Sequence, residues 1–368
     1  MRFDVLDGVR GHLLFMMMLA HLGWQPGLSN LFLFHHSQII VLLDAEFLVF
    51  LSGLLVGILY AMKFKGPQKL AVFLAQRLGK IYRFYLWSAV PFLALALAQD
   101  VRGVSFLWAI VEVFLIQNGG AFSDILPIYL FCFVLLLGGT FVLRRGPVPW
   151  LLLPSVALYC VSLFNYDNGV FGLGAKFLIF DLAAWQLVFF IAFVLGAYYQ
   201  QIGAWVAGLS DRTYLALFVT FACLTVLQRW ALFYTPITEL PPEVTDYWYR
   251  MHLHPVHLLR MMIVVVFFAL VAMRSVRVTR PFTAVLQWYF TLPLLRYCGM
   301  YAIQMFVIHV YIIGAFSYFQ AGWGSSEKMI AAIVVQLAYM ALPLLLRCVF
   351  TRNIWQCFRN LRSRDKAG

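Results

Sequence analysis

Charge is scarce in this chain. Of its 368 residues only 11% are charged and just 15 are acidic, while 63% are hydrophobic and the mean hydropathy is +0.86. That composition excludes a soluble globular domain, because one compact core could not hide so much apolar surface from water. The six cysteines (Cys132, Cys160, Cys223, Cys298, Cys348 and Cys357) show no paired metal-ligand spacing, and most lie inside apolar runs. They argue against a disulfide framework or a zinc site and for thiols serving as small buried hydrophobes. No internal repeat, low-complexity tract or soluble domain interrupts the chain. No small-residue cleavage site follows the first apolar segment, so that segment is expected to be retained.

What is present is a series of apolar runs near membrane-spanning length. About twenty residues cross a bilayer as a helix, and the runs at 9–24, 38–62, 82–98, 126–143, 149–164, 185–201, 214–234, 256–273, 298–320 and 328–347 predict about ten helices. The expected fold is all-α: a polytopic transmembrane bundle over residues 1–351, followed by a basic tail at 352–368.

The net charge of +12 is carried by clusters between the apolar runs, which does not suggest nucleic acid. Lys63, Lys65, Lys69, Arg77, Lys80 and Arg83 form one cluster, Arg144 and Arg145 a second, Arg274, Arg277 and Arg280 a third, and the tail a fourth. Basic loops mark the cytoplasmic side, so all four are placed there, together with both termini. That choice makes the short runs 106–117 and 170–182 partly inserted outer-side segments. It also makes 235–255 the largest outer loop.

Within the first run, Arg10 and His21 are separated by ten residues. Eleven helical steps are almost three turns, which places both side chains on one face, roughly 16 Å apart along the axis. Intramembrane cations and imidazoles are costly and usually face a polar cavity or path. Asp7, one turn before Arg10, either caps the first helix as a local ion pair or orients the arginine toward a phosphate or thioester carrier. His21 either hydrogen-bonds a neighbouring helix or serves as a general base on an alcohol.

Asp44 and Glu46 enter the second run, where unpaired carboxylates would be expensive; either could orient His21. Gly53 and Gly57, four residues apart, are explained by close helix packing. The run Phe73 to Tyr85 carries Arg77, Lys80 and Arg83 among aromatics. It reads as an interfacial helix with snorkelling cations or as a docking surface for a polyphosphate nucleotide such as coenzyme A. His252, His254 and His257 have a spacing compatible with metal, although surface histidines are the commoner explanation.

The arginine-to-histidine spacing resembles the signature of the acyltransferase-3 group of membrane enzymes. Further stretches resemble one branch of it, the OpgC-type succinyltransferases of osmoregulated periplasmic glucans. They are Leu6-Asp7-Gly8-Val9-Arg10-Gly11 with His21, Ala45-Glu46 with Phe50-Leu51-Ser52-Gly53, and Arg77-Leu78-Gly79-Lys80-Ile81-Tyr82-Arg83. Asp124-Ile125-Leu126-Pro127-Ile128-Tyr129, Ala184-Trp185-Gln186 and the Gly299, Ala302, Gln304, Val307, His309 run complete the set, in the expected order. Two positions depart from the pattern: Ala302 stands where a serine is expected, and His257 and Arg260 exchange places.

The resemblance implies an O-acyltransferase that uses cytoplasmic acyl-coenzyme A, with succinyl-coenzyme A favoured, as co-substrate and a periplasmic glucan hydroxyl as acceptor. On that reading His21 is the base, oriented by Asp44 or Glu46, and Arg10 grips the donor. Arg77, Lys80 and Arg83 meet its phosphates. Trp185 or Gln186 stand as candidate oxyanion donors. Arg229, Arg250 and Arg260 are candidate partners of a succinyl carboxylate, and His309 is a further substrate contact. No permanently bound cofactor, metal or nucleic acid is expected. Acetyl transfer to another surface polysaccharide or lipid-linked acceptor is the nearest alternative. A proton-coupled secondary transporter is the alternative of another class, although no inverted repeat supports it.

Overall fold

The computed structural model describes residues 3–40, 44–64, 66–98, 106–116, 125–164, 181–234, 251–320 and 322–350. Every regular element among them is helical. The chain forms a polytopic all-α bundle, and two compact units divide it: residues 1–35 with 284–368, and residues 36–283.

The first unit is built on α1 (Asp4–Gly23). It also holds the end of α11 (Arg280–Phe290), then α12 (Pro293–Met300), α13 (Ala302–Phe319) and α14 (Ser325–Phe350). Pro293 opens α12 at the first helical turn, where a missing N–H costs nothing. Glycines set how closely α1 meets the end of α11 and α12. An ideal Cβ on Gly8 would lie 1.6 Å from the Phe290 carbonyl oxygen, one on Gly11 2.0 Å from that of Leu295, and one on Gly299 1.7 Å from that of Asp7. Only residues without a side chain permit that backbone approach, the device membrane helices use in place of a hydrophobic driving force. Partly buried polar contacts add register: His12 Nδ1 meets the Tyr289 hydroxyl at 2.9 Å, and Gln336 donates to the Phe15 carbonyl at 3.1 Å.

The second unit contains α2 (Asp44–Leu59), extended by a π turn over Tyr60–Phe64, α3 (Pro67–Ala98), the short α4 (Phe106–Phe114) and α5 (Ile125–Leu143). It continues with α6 (Leu152–Phe164), α7 (Leu182–Ala197), α8 (Tyr199–Gly208), α9 (Asp211–Tyr234) and α10 (Pro255–Met273). The expected close packing at Gly53 and Gly57 is present. Their Cβ positions would lie 2.2 and 2.1 Å from the Phe189 and Phe193 carbonyl oxygens of α7, and Gly196 reciprocates against Leu54. Asp181 caps α7, its carboxylate accepting from the Ala183 and Ala184 N–H groups at 2.9 and 3.3 Å.

Arg274, which reads in the sequence as a topology marker, has a structural task. Its guanidinium donates to the Val206 and Ala207 carbonyls at 3.2 and 3.3 Å, to that of Leu209, and to Asp211 at 2.5 Å. It therefore satisfies the C-terminal carbonyls of α8, which no helix can satisfy internally.

All ten expected runs fall on helices, but the count of full spans differs. Seven helices among the described residues are long and apolar enough to cross a membrane, or eight if α7 and α8, bent by 66°, form one broken span. The expected 149–164 span is present as an apolar helix over Val148–Phe164, but it is too short to count among these spans. The 82–98 span is the second half of the 32-residue α3; Arg77 and Lys80 precede it and Arg83 stands at its start. The 106–117 segment forms α4, whose nine residues are too few to cross a bilayer. Its end is pinned to α3, where Tyr82 and Tyr85 donate to the Phe114 and Val113 carbonyls, each at 3.0 Å. The expected segment at 170–182 lies outside the described residues except for Asp181 and Leu182, as do most of the 235–255 loop, Cys357 and the basic tail. Among the described cysteines, Cys132 and Cys298 are buried as expected, whereas Cys160 and Cys223 are exposed.

Candidate functional site

Helix α1 runs unbroken from Asp4 to Gly23 and carries both Arg10 and His21. Eleven steps of that helix return the direction to within about 20°, so the two share a face. Arg10 Nη1 lies 3.5 Å from Asp7 Oδ1, one turn earlier. At the other end, His21 Nδ1 meets His309 Nε2 of α13 at 2.5 Å. The two ring planes are inclined by 24°, with centroids 4.7 Å apart. His309 is 1% exposed, and its own Nδ1 lies 3.3 Å from the Phe306 carbonyl oxygen. His309, expected as a further substrate contact, has its Nε2 engaged by His21.

Asp44 and Glu46 belong to the second unit, at the start of α2. Asp44 lies 3.4 Å from His36 Nε2, and Glu46 is fully buried.

On α3, the buried positions Leu70, Leu74, Ile81, Tyr85, Ser88 and Ala89 recur at helical spacing. The spacing leaves Arg77 and Arg83 exposed and Lys80 half-buried. Arg77 lies over the Phe73 ring at 5.3 Å and Lys80 over Phe84 at 6.0 Å, so aromatic faces hold the cations along the helix. Burial lowers the Lys80 ammonium from its ordinary value, and the charges of Arg77 and Arg83 lower it further. A polyanion bound here would relieve that repulsion.

Trp185 and Gln186, the candidate oxyanion donors, lie on α7 of the second unit. Both are fully buried. The Trp185 indole N–H donates to the Met251 carbonyl at 2.8 Å. The Gln186 amide donates to the Ser155 and Ala183 carbonyls at 2.8 and 3.0 Å, while its oxygen accepts from the Ser155 hydroxyl at 2.7 Å. Their N–H groups donate to main-chain carbonyls, so both residues are braces within the second unit.

Those braces surround a polar knot. Asp181 Oδ2 accepts from the Ser162 hydroxyl at 2.5 Å and lies 3.2 Å from His252 Nδ1. Leu253, at a φ of 49°, offers its carbonyl to the Tyr159 hydroxyl at 2.8 Å. Burial pushes the Asp181 carboxyl up, but hydrogen bonds from His252 and Ser162, the His252 charge and the Ala184 N–H outweigh it, leaving the group below its ordinary value. The three nearby histidines do separate work: His252 joins this knot, His254 caps α10 through its Nδ1 and the Val256 N–H at 3.4 Å, and His257 is buried on α10.

Among the candidate carboxylate partners, Arg229 donates to the Gln38 side-chain oxygen at 2.6 Å and Arg260 is half-buried on α10; Arg250 lies outside the described residues. Two further arginines escaped the sequence reading. In the first unit, Arg296 of α12 lies 3.2 Å from Asp4, and Arg347 of α14 stacks 4.3 Å over Tyr297. The available signal was positional, since both interrupt otherwise apolar stretches.

The arrangement defines a multi-pass all-α membrane protein whose first helix carries a cation and a hydrogen-bonded imidazole on one face. The family follows from comparison with known proteins: the chain belongs to the OpgC family, whose model, described as "OpgC protein", matches residues 2–353. No curated protein and no solved structure matches it.

Proposed function

We propose that this protein is an inner-membrane O-acyltransferase that moves a succinyl group from cytoplasmic succinyl-coenzyme A to a hydroxyl of a periplasmic glucan. OpgC family membership supports the acyl-transfer chemistry. The observation that carries the mechanism is the pairing of Arg10 and His21 on one face of α1, with His21 hydrogen-bonded at its far end.

The donor comes from the cytoplasmic side; taken by itself, the cationic run of Arg77, Lys80 and Arg83 in the second unit is a docking surface for a polyphosphate through charge-assisted contacts. Arg10 steadies the carrier along α1, and the extended pantetheine arm covers most of the interval to His21. There His21 takes the proton of the glucan hydroxyl as its oxygen attacks the thioester carbonyl carbon. The C–S bond breaks, coenzyme A leaves as thiolate, and the proton held by His21 passes to that sulfur. Atoms and charge balance without a further reactant. Holding both reactants in register on one rigid helix is the main contribution expected of the protein.

The test is transfer of radiolabelled succinyl from succinyl-coenzyme A to glucan by purified protein in lipid. His21→Ala should lower turnover by about 10²–10⁴-fold, the usual worth of a general base, with membrane insertion intact. Near-normal turnover in a correctly folded variant removes His21 from the chemistry.

A further inference from the structure

A hydrogen-bond chain of three members runs through the first unit. Its first member is the Phe306 carbonyl, 3.3 Å from His309 Nδ1. A carbonyl oxygen only accepts, so His309 Nδ1 carries a proton. In a neutral imidazole the other nitrogen, Nε2, is then an acceptor. His309 Nε2 lies 2.5 Å from His21 Nδ1, which must therefore be the donor. The proton on His21 sits at Nδ1 and the basic lone pair at Nε2. We infer that His309 is a positioning residue that fixes the tautomer of His21, presenting Nε2 as the base.

This inference rests on the acyl-transfer reading for its catalytic meaning, but its structural content is independent of it. The physical logic is that of a buried acceptor behind a catalytic histidine: it holds the ring, selects the tautomer and stabilises the imidazolium that forms. Here a neutral imidazole anchored on its own helix takes that place. The glucan hydroxyl proton goes to His21 Nε2, and the Nδ1 proton stays in the bond to His309. The Nε2 proton then leaves with the coenzyme A sulfur. His309 is well sited for a fixed role, since it is 1% exposed, its ring lies 5.5 Å from that of Phe306, and Tyr339 of α14 lies 6.4 Å away. The Tyr339 hydroxyl in turn donates to the Met305 carbonyl at 3.2 Å, holding the turn of α13 from which His309 projects.

The experiment is ring-¹⁵N NMR of histidine-labelled, full-length protein in nanodiscs, with His21 assigned by loss of its signal in His21→Asn. His21 should be protonated at Nδ1 in the natural protein and in His309→Gln, whose amide oxygen can accept in place of Nε2. In His309→Leu the acceptor is gone, and His21 should change to a mixture of tautomers. Turnover should fall about 10²-fold in His309→Leu, recover to within several-fold of normal in His309→Gln, and leave the donor KM unchanged in both. A His21 protonated at Nε2 in the natural protein overturns the inference, and so does an unchanged His21 tautomer in His309→Leu. If the tautomers behave as stated but no acyl group is transferred by any variant, positioning stands and the acyl-transfer reading fails. A merely structural role for His309 would alter stability without moving the tautomer.

Discussion

Replacing Gly8 by alanine tests whether the close crossing that holds α1 is real. The new Cβ would lie 1.6 Å from the Phe290 carbonyl oxygen, where ordinary contact begins at 3.4 Å, and the obstacle is backbone that cannot rotate away. The two segments must separate by roughly 2 Å, at the severe end of overpacking, which typically costs about 1–3 kcal/mol. Helix propensity works in the opposite direction, favouring alanine by about 0.8–1 kcal/mol, so a net loss measures the crossing itself. Gly138 of α5 is the control, since nothing lies within 4 Å of its Cβ position. There alanine should stabilise by about 0.5–1 kcal/mol. Reversible unfolding in mixed micelles would read both. Gly8→Ala should lose about 2 kcal/mol net, and turnover should fall as well, because α1 carries Arg10 and His21 and a 1 Å misplacement can cost about 10²-fold. A Gly8→Ala protein as stable as Gly138→Ala would refute the crossing.

Three further outcomes are expected. Neutralising Arg77, Lys80 and Arg83 should raise the donor KM and weaken its salt dependence with little change in acceptor KM; an effect confined to the acceptor would reject the assignment. Asp181→Asn should destabilise the second unit at neutral pH by about 1.5–3 kcal/mol, the worth of a hydrogen bond to a charged group. The folded Asp181 carboxyl lies below its ordinary value of 3.8, so its stabilisation is complete above that value and is lost as pH falls through the lowered one. Stability curves of the two proteins should therefore converge in strong acid, and a constant gap at every pH would contradict the charge argument. Finally, single cysteines placed at Ser29 and Thr238 in a background lacking the native six should react with an impermeant thiol reagent on intact spheroplasts, and one at Ser363 only after lysis; the reverse pattern inverts the topology.

The fold was largely legible in the sequence because apolar run length and glycine spacing act along a single helix. The shared face of Arg10 and His21 followed from helical pitch alone, and the meeting of Gly53 and Gly57 with another backbone followed from their four-residue interval. Contacts between distant helices left no such trace. The partner of His21 stands 288 positions away, and nothing in the periodicity of α13 selects His309 over its neighbours. Nor does the sequence show what Trp185 and Gln186 touch: their N–H groups satisfy backbone carbonyls at Met251, Ser155 and Ala183, a strong reason to place polar groups in a membrane. Arg274 illustrates the same limit: the charge count gave its expected side of the bilayer, not the α8 carbonyls it caps.

The account stands or falls on what reaches the glucan. Mass spectrometry of periplasmic glucans should be run on cells carrying the natural protein, cells lacking it, and cells carrying His21→Ala at matched membrane levels. The account predicts succinyl mass increments with the natural protein and none in the other two. Glucans with the same increments in all three, or with none in any, would contradict it.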